Sequence, residues 1–222
     1  MFKKISEGVY GEIFTNKKTV KKKFSKNNKG FEYSVHSVVY DVDPEHVVRP
    51  IKYNRNTMTL EMNYVDGVAL SKYDGKRKLE NVIVDVIKTL KKIQSKYKTF
   101  RHNDLHAENV MVKNDGTPIM IDFGFANIQK EGLKNPMIIN NTYLKNDYGI
   151  YPNNHYMYDV HFIINSLYLK GDQKIKDFVR KILPSDYIGS ETSKVYNGRF
   201  RSGVSHENFP GMDEIISRLH SK

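Results

Sequence analysis

The 222-residue sequence has no cysteine. Disulfides and thiolate metal sites are therefore excluded, and no redox compartment can be inferred. Long apolar runs are missing as well. The start, Met1-Phe-Lys-Lys-Ile-Ser, lacks the apolar core of a signal peptide, and no stretch approaches the roughly 20 residues that span a bilayer. An intracellular, cytoplasmic protein without a membrane partner is expected. Acidic residues are in deficit, 25 against 36 lysines and arginines, for a formal charge of +11. Lysine carries most of the excess, beside many asparagines, a bias that AT-rich coding produces. Such charge usually marks a solvated face, so nucleic-acid binding is not favoured, and no nucleic-acid motif, repeat or low-complexity tract argues otherwise. The oligomeric state is left open. A chain of this length buries roughly 70% of its unfolded surface, enough for one domain or two small lobes.

The most informative stretch is Arg101-His-Asn-Asp-Leu-His-Ala-Glu-Asn-Val110, followed by Ile121-Asp-Phe-Gly124. Between Asn109 and Asp122 two apolar runs flank Asp115-Gly116, a strong hairpin signal. A two-residue loop there pairs Asn114 with Thr117 and sets Asn109 opposite Asp122. Directly opposed residues share a face with Cβ atoms about 5 Å apart. A hard cation such as Mg²⁺, which takes oxygen ligands and keeps waters, suits such a pair. Asp104, on the preceding loop, is within reach of a hydroxyl nucleophile.

His102-Asn-Asp-Leu-His-Ala-Glu-Asn109 resembles the H-R-D-L-x-x-x-N catalytic loop of eukaryotic-type protein kinases, and Asp122-Phe-Gly124 resembles their D-F-G. The spacings from Asp104 to Asn109 and on to Asp122 match as well. The resemblance implies an α+β, bilobal fold with a small β-rich N-lobe, about 1–65, and a reduced, mainly helical C-lobe, about 66–222, forming one domain. It implies ATP and Mg²⁺ as cofactors and phosphoryl transfer as the reaction. In that reading Asp122 and Asn109 hold metal, and Asp104 is the catalytic carboxylate that aims the acceptor hydroxyl.

In the N-terminal third, Ile5-Ser-Glu-Gly-Val-Tyr-Gly-Glu-Ile-Phe14 reads as strand, glycine turn, strand. It resembles the family's glycine-rich loop, with Ser6, Gly8 and Gly11 in the three glycine positions. Glycine there lets backbone N–H groups approach phosphates. In Lys18-Thr-Val-Lys-Lys-Lys-Phe24, Val20, Lys22 and Phe24 share one face, while Lys21 and Lys23 point away. The resemblance implies that this strand supplies the lysine for the nucleotide phosphates, and the alternation selects Lys22. In the family a helix glutamate pairs with that lysine, and Glu32, opening a short helical pattern, is the best partner available. Asp43 to Ile51 and Thr57 to Gly67 look like the fourth and fifth strands. In that register Met62 takes the gatekeeper position, and Asn63, Tyr64 and Val65 form the hinge against adenine.

From Leu79 the spacing turns helical: Leu79, Val82, Ile83, Val86, Ile87, Leu90, Ile93 and Tyr97 form one buried stripe. A second helix from Asp159 resembles the one whose first aspartate ties down the catalytic loop through backbone near His102 and Asn103. His102 is expected to pack as a loop organiser. Departures from the family are Asn103 in place of arginine, His106 in place of lysine, and no Ala-Pro-Glu after the D-F-G. A switch operated by activation-segment phosphorylation is therefore not expected. The resemblance covers about residues 5–170. Its compactness resembles kinases encoded by large DNA viruses. Serine or threonine of a protein substrate is the expected acceptor. A small-molecule or RNA-associated kinase or ATPase is the alternative, with a pseudokinase binding module behind it.

Overall fold

A computed structural model describes residues 1–8, 11–25, 30–201 and 203–221. Strands β1 (Lys3–Gly8), β2 (Gly11–Thr15), β3 (Thr19–Phe24), β4 (Pro50–Asn54) and β5 (Thr59–Asn63) form an antiparallel sheet in the order β1-β2-β3-β5-β4. Burial follows the alternation in β3, with Lys22 and Phe24 buried and Lys23 exposed. Phe24, Leu60 and Met62 join Val48 and Ile119 in a small core.

Helix α1 (Phe31–Tyr40) follows β3 and starts from Gly30, which adopts a left-handed φ of +76°. Its buried residues are Glu32, Val35, His36 and Val39, the three- and four-residue spacing of one face. Two of the four are polar, so both need partners inside the protein.

Residues 43–47 form no sheet strand, contrary to the expectation for Asp43 to Ile51. The strand starts only at Pro50. Val47 forms a parallel bridge with Met120 instead. Met120 N–H donates to the His46 carbonyl, and Val48 N–H donates to the Met120 carbonyl. The apolar Val47-Val48 pair thus ties the sheet to the other half of the chain.

That half holds a three-stranded antiparallel sheet of β6 (Gly67–Ala69), β7 (Val110–Lys113) and β8 (Pro118–Met120). Around it lie α2 (Leu79–Lys96), α3 (Pro136–Asn140), α4 (Thr142–Tyr148), α5 (Tyr158–Lys170), α6 (Gln173–Ile182) and α7 (Met212–His220), with a short hairpin of β9 (Val195–Tyr196) and β10 (Arg199–Phe200). The architecture is α+β, bilobal and kinase-like. The stripe on α2 is buried from Val82 to Ile93, and Val84 is buried with it. Each such aliphatic side chain contributes about 1.5–3 kcal/mol. No helix among the described residues is long and apolar enough to cross a membrane.

Every residue of α5 from Tyr158 to Leu167 is buried, which marks it as the central helix of its lobe. Four of these, Asp159, His161, Asn165 and Ser166, are polar.

Buried histidines give the fold a pH dependence. His36 Nε2 donates to the Val48 carbonyl at 2.6 Å, and His161 Nε2 to the Tyr187 carbonyl at 2.9 Å. In both rings Nδ1 is buried without a partner among the described residues, so protonation would add a charge and an unmatched donor. Burial lowers His36 to about 4 and His161 to about 3. Unfolded, both bind protons near about 6.5. Stability is therefore full above that value and falls as pH drops towards 4 and 3, because the unfolded chain takes up protons that the fold refuses. Denaturant midpoints are expected to decline from about pH 7 to about pH 4, less steeply than the two histidines alone would give, because the buried Glu32 carboxyl is raised to about 7 and works the other way. A flat midpoint over that interval would contradict the neutral assignment.

Candidate active site

The hairpin that joins the two halves of the motif has a different register from the expected one. Val110 pairs with Met120, Met111 with Ile119 and Val112 with Pro118, so Asn109 stands opposite Ile121, whose N–H donates to the Asn109 carbonyl. The reason lies in the loop. Gly116 N–H donates to the Lys113 carbonyl, Gly116 has φ +85°, and Lys113 N–H donates to the Thr117 carbonyl. That is a three-residue loop with glycine in the left-handed position, fixed further by Asp115 Oδ1 accepting from Thr117 N–H at 2.8 Å. Asp122 is aimed instead by its own backbone, with φ +57°. A left-handed conformation costs a residue other than glycine roughly 1–2 kcal/mol, strain that recurs at functional sites.

Three charged groups converge here, this aspartate among them. Lys22 Nζ lies 3.0 Å from both carboxylate oxygens of Glu32 and 2.7 Å from Asp122 Oδ1. Lys22 and Glu32 are 8% and 2% exposed, whereas the Asp122 side chain is 38% exposed. Burial alone would lower the Lys22 ammonium; Asp122 and Glu32 overcome it and hold the pKa raised. Burial pushes Glu32 up to about 7 against the pull of Lys22. Burial also works to raise Asp122, but Lys22 and the Gly124 N–H hold it below the usual carboxylate range. Two carboxylates thus share one ammonium, and the deeper one takes up a proton first.

Gly124 has a structural reason to be glycine. A Cβ there would lie 3.2 Å from Asp122 Oδ1, 3.3 Å from Glu32 Oε2 and 3.4 Å from Lys22 Nζ, crowding all three charged groups. Phe123 is fully buried between two rings, His36 at 4.6 Å and His102 at 4.9 Å between centroids. His102 Nε2 also donates to the Ile121 carbonyl at 3.1 Å. It packs as a loop organiser, while His36, which completes the column from α1, stood out in no motif.

The catalytic-type loop is docked on one face of α5. Asp159 accepts from the His102 and Asn103 N–H groups, each at 2.8 Å. Ser166 Oγ accepts from Ala107 N–H at 2.9 Å. Asn103, with φ +63°, donates to the Phe125 carbonyl at 3.0 Å and accepts from Asn154 at 3.0 Å. The neutral amide at this position therefore ties the segment after the D-F-G directly. Replacing Asp159 by asparagine substitutes a donor for one acceptor, opposite a buried N–H. A loss of about 1–3 kcal/mol is expected in chemical denaturation; unchanged stability would show that these two bonds contribute nothing net.

Asn109 Nδ2 donates to the Asp104 carbonyl at 2.9 Å and lies 3.2 Å from Asp104 Oδ2. This orientation leaves Asn109 Oδ1 without a protein hydrogen bond, and Asp122 Oδ2 likewise has none, among the described residues. One carboxylate oxygen and one carboxamide oxygen fit a hard cation that also takes phosphate and water ligands. No cluster of three histidine, aspartate or glutamate side chains among the described residues forms a cage by itself. His106 Nδ1 accepts from Glu108 N–H at 3.2 Å, and its Nε2 lies 3.7 Å from Asp104 Oδ2. Burial would raise the Asp104 carboxyl, but His106 and Arg199 overcome it and hold it below the usual range.

Gly8 pairs with Gly11 at the end of the β1–β2 hairpin; the tip, residues 9–10, lies outside the described residues. Gly11 has φ +153°, and a Cβ there would run into the Lys23 carbonyl oxygen. Packing against β3 thus requires this glycine independently of any ligand. Met62 is buried on β5 opposite Val20, and half-buried Val65 packs on the same small core with Met111 and Ile121.

Arg199 belongs to no motif of the sequence. It sits on β10, and its Nη2 lies 2.5 Å from Asp104 Oδ1. A lone arginine late in the chain carries no local signal for this contact.

Residues 43–148 match the ABC1 atypical kinase-like domain family. The match takes in the loop before β4, the hinge, the catalytic-type loop and the D-F-G, and leaves out Lys22, Glu32 and Asp159. Over 67 residues the chain is 36% identical to an uncharacterized protein of Dictyostelium discoideum, a stretch that makes up 30% of this chain and 7% of that protein. The chain thus spans a small fraction of the length of that relative. The family match supports a place in the protein kinase-like superfamily and kinase-like phosphoryl transfer.

Proposed function

We propose that the protein transfers the γ-phosphoryl group of ATP to a hydroxyl, with serine or threonine of a protein substrate as acceptor. The observation that carries this reading is the Lys22 ammonium bridging Glu32 and Asp122. It is supported by the oxygens of Asp122 and Asn109 that no group among the described residues engages.

Lys22 would bind the α- and β-phosphates, with Glu32 fixing where the ammonium sits. Gly8 and Gly11 would bring backbone near the phosphates. Met62 and Val65 would line the adenine slot. A cavity of about 550 Å³ also touches Asn63, Tyr64 and Val65 but includes none of Lys22, Asp104 and Asp122, so the nucleotide is assigned to the charged side of the hinge. Asp122 and Asn109 would hold Mg²⁺, which neutralises charge on the phosphates when bound.

Asp104 would accept a hydrogen bond from the acceptor hydroxyl through Oδ2, since Oδ1 is occupied by Arg199. As the new O–P bond forms and the bond to the ADP oxygen breaks, the hydroxyl proton passes to Asp104. Held below the usual carboxylate range, Asp104 is a weak base. Aiming the hydroxyl is then its main contribution, with proton transfer late.

The second reading is a small-molecule hydroxyl acceptor. It is favoured by the match to an atypical kinase-like family and by the short helices α3 and α4 that follow the D-F-G. The two are separated by what receives label from γ-labelled ATP. Acid-stable label on serine and threonine of generic basic and acidic proteins supports the first. Turnover with all label in low-molecular-weight product supports the second.

A further inference from the structure

Residues 102–109 contain no lysine or arginine, yet Asp104 is held by a permanent cation. It comes from the far end of the chain. Arg199, 95 residues away in sequence and 6% exposed, places Nη2 2.5 Å from Asp104 Oδ1. Its Nη1 donates to the Asn103 carbonyl and lies 3.0 Å from the Tyr158 hydroxyl. The guanidinium carbon stands 3.9 Å over the Phe162 ring. Tyr158 and Phe162 belong to the same helix as Asp159, so one helix holds the loop backbone and also seats the arginine.

We propose that Arg199 is a positioning residue of the phosphoryl-transfer site, locking Asp104 so that Oδ2 alone is presented to the acceptor hydroxyl. The inference rests on the reading of this site as a kinase. The geometry distinguishes this role from that of a filler. A buried ion pair adds little stability over an apolar replacement, but a planar fork that grips one carboxylate oxygen and the preceding carbonyl together removes the carboxylate's rotational freedom. Asp104 then has one oxygen committed to Arg199, while the other lies near the Asn109 amide at 3.2 Å and His106 Nε2 at 3.7 Å. Turns 195–200 bring the arginine in: β9 and β10 pair as a tight hairpin, with Arg199 opposite Tyr196 and Phe200 opposite Val195. Phe200 anchors that hairpin, stacked on His161 with centroids 3.9 Å apart. The C-terminal segment thereby becomes part of the site.

The test is steady-state kinetics of full-length wild type, Arg199→Lys, Arg199→Gln, Asp104→Asn and the Asp104→Asn/Arg199→Gln double variant, on whichever acceptor wild type labels. Arg199→Gln is expected to lower kcat about a hundredfold, the scale of a misplacement of about 1 Å, with KM for ATP unchanged. Arg199→Lys is expected to recover part of kcat, since it keeps the charge and loses the fork. In the Asp104→Asn background, Arg199→Gln is expected to cost nothing further, because the group it positions is gone. If Arg199→Gln does not fold, Arg199→Lys carries the test through a lowered kcat at constant KM. Wild-type kcat in Arg199→Lys together with Arg199→Gln, or in Arg199→Lys alone where the glutamine variant is unfolded, would overturn the inference and leave the kinase reading standing. Additive losses in the double variant would do the same. Wild type without turnover on any acceptor would overturn both.

Discussion

Asp122→Asn is expected to slow phosphoryl transfer several hundredfold while leaving the fold intact. The side chain is the most open member of its charged cluster, at 38% exposure, and one oxygen already serves Lys22 and the Gly124 N–H. Asparagine keeps the volume and a polar contact to Lys22, but removes the negative charge that a phosphate-bound cation needs. Losing a preorganised electrostatic group of this kind costs about 3–4 kcal/mol in the barrier, a rate reduction of several hundredfold. Stability is expected to change little, because Lys22 retains its bidentate contact with Glu32. Turnover near that of wild type would remove Asp122 from the site.

Lys22→Met is expected to cost both activity and stability, and the stability loss to depend on pH. Methionine leaves Glu32, 2% exposed, facing Asp122 without a cation. Breaking a buried pair from one side costs about 3–5 kcal/mol. Glu32 is pushed up to about 7 by burial even with Lys22 beside it, and in the variant nothing pulls it back. A folded pKa raised above the unfolded one means that the fold gains protons, and stability, as pH falls through it. The deficit relative to wild type is therefore expected to shrink as pH falls towards about 7, by about 1.4 kcal/mol for each pKa unit that the variant's Glu32 lies above the wild-type one, and to level off below, where Glu32 is protonated in both. The His161 contribution, which Lys22 does not touch, cancels in that comparison. A deficit independent of pH would mean that Glu32 is not the group left exposed to burial. Adding Glu32→Gln is expected to restore much of the lost stability.

These expectations depend on contacts that the sequence exposed to different degrees. Lys22 emerges from the alternation of β3, because a six-residue strand with one apolar face leaves a single lysine among the buried positions. Glu32 and His36 sit on one helical stripe, but only the glutamate had a motif partner to single it out. Asp159 is legible because a helix start carrying an aspartate resembles a known anchor, and the structure gives it two backbone N–H groups. The β7–β8 register differs by one residue from the one its turn suggests: Asp-Gly favours a two-residue loop, whereas the glycine here closes a three-residue one. A one-residue slip moves side chains to the opposite face, and the left-handed Asp122 compensates for it. Backbone conformation of that kind leaves no trace in hydropathy. The run from Asp43 to Ile51 misled because Val47 and Val48 are apolar for contact with β8 and not for a place in the larger sheet. Arg199 was invisible because the pairing that delivers it spans almost half the chain.

The most direct measurement is a single-turnover reaction with purified protein, γ-labelled ATP and Mg²⁺, run beside Asp104→Asn and Asp122→Asn. If Asp104, Asn109, Asp122 and Lys22 form a phosphoryl-transfer site, wild type transfers label to a hydroxyl acceptor and both variants lose most of that rate. Transfer that survives in both variants, or ATP left intact by folded wild type with every acceptor offered, would contradict that assignment.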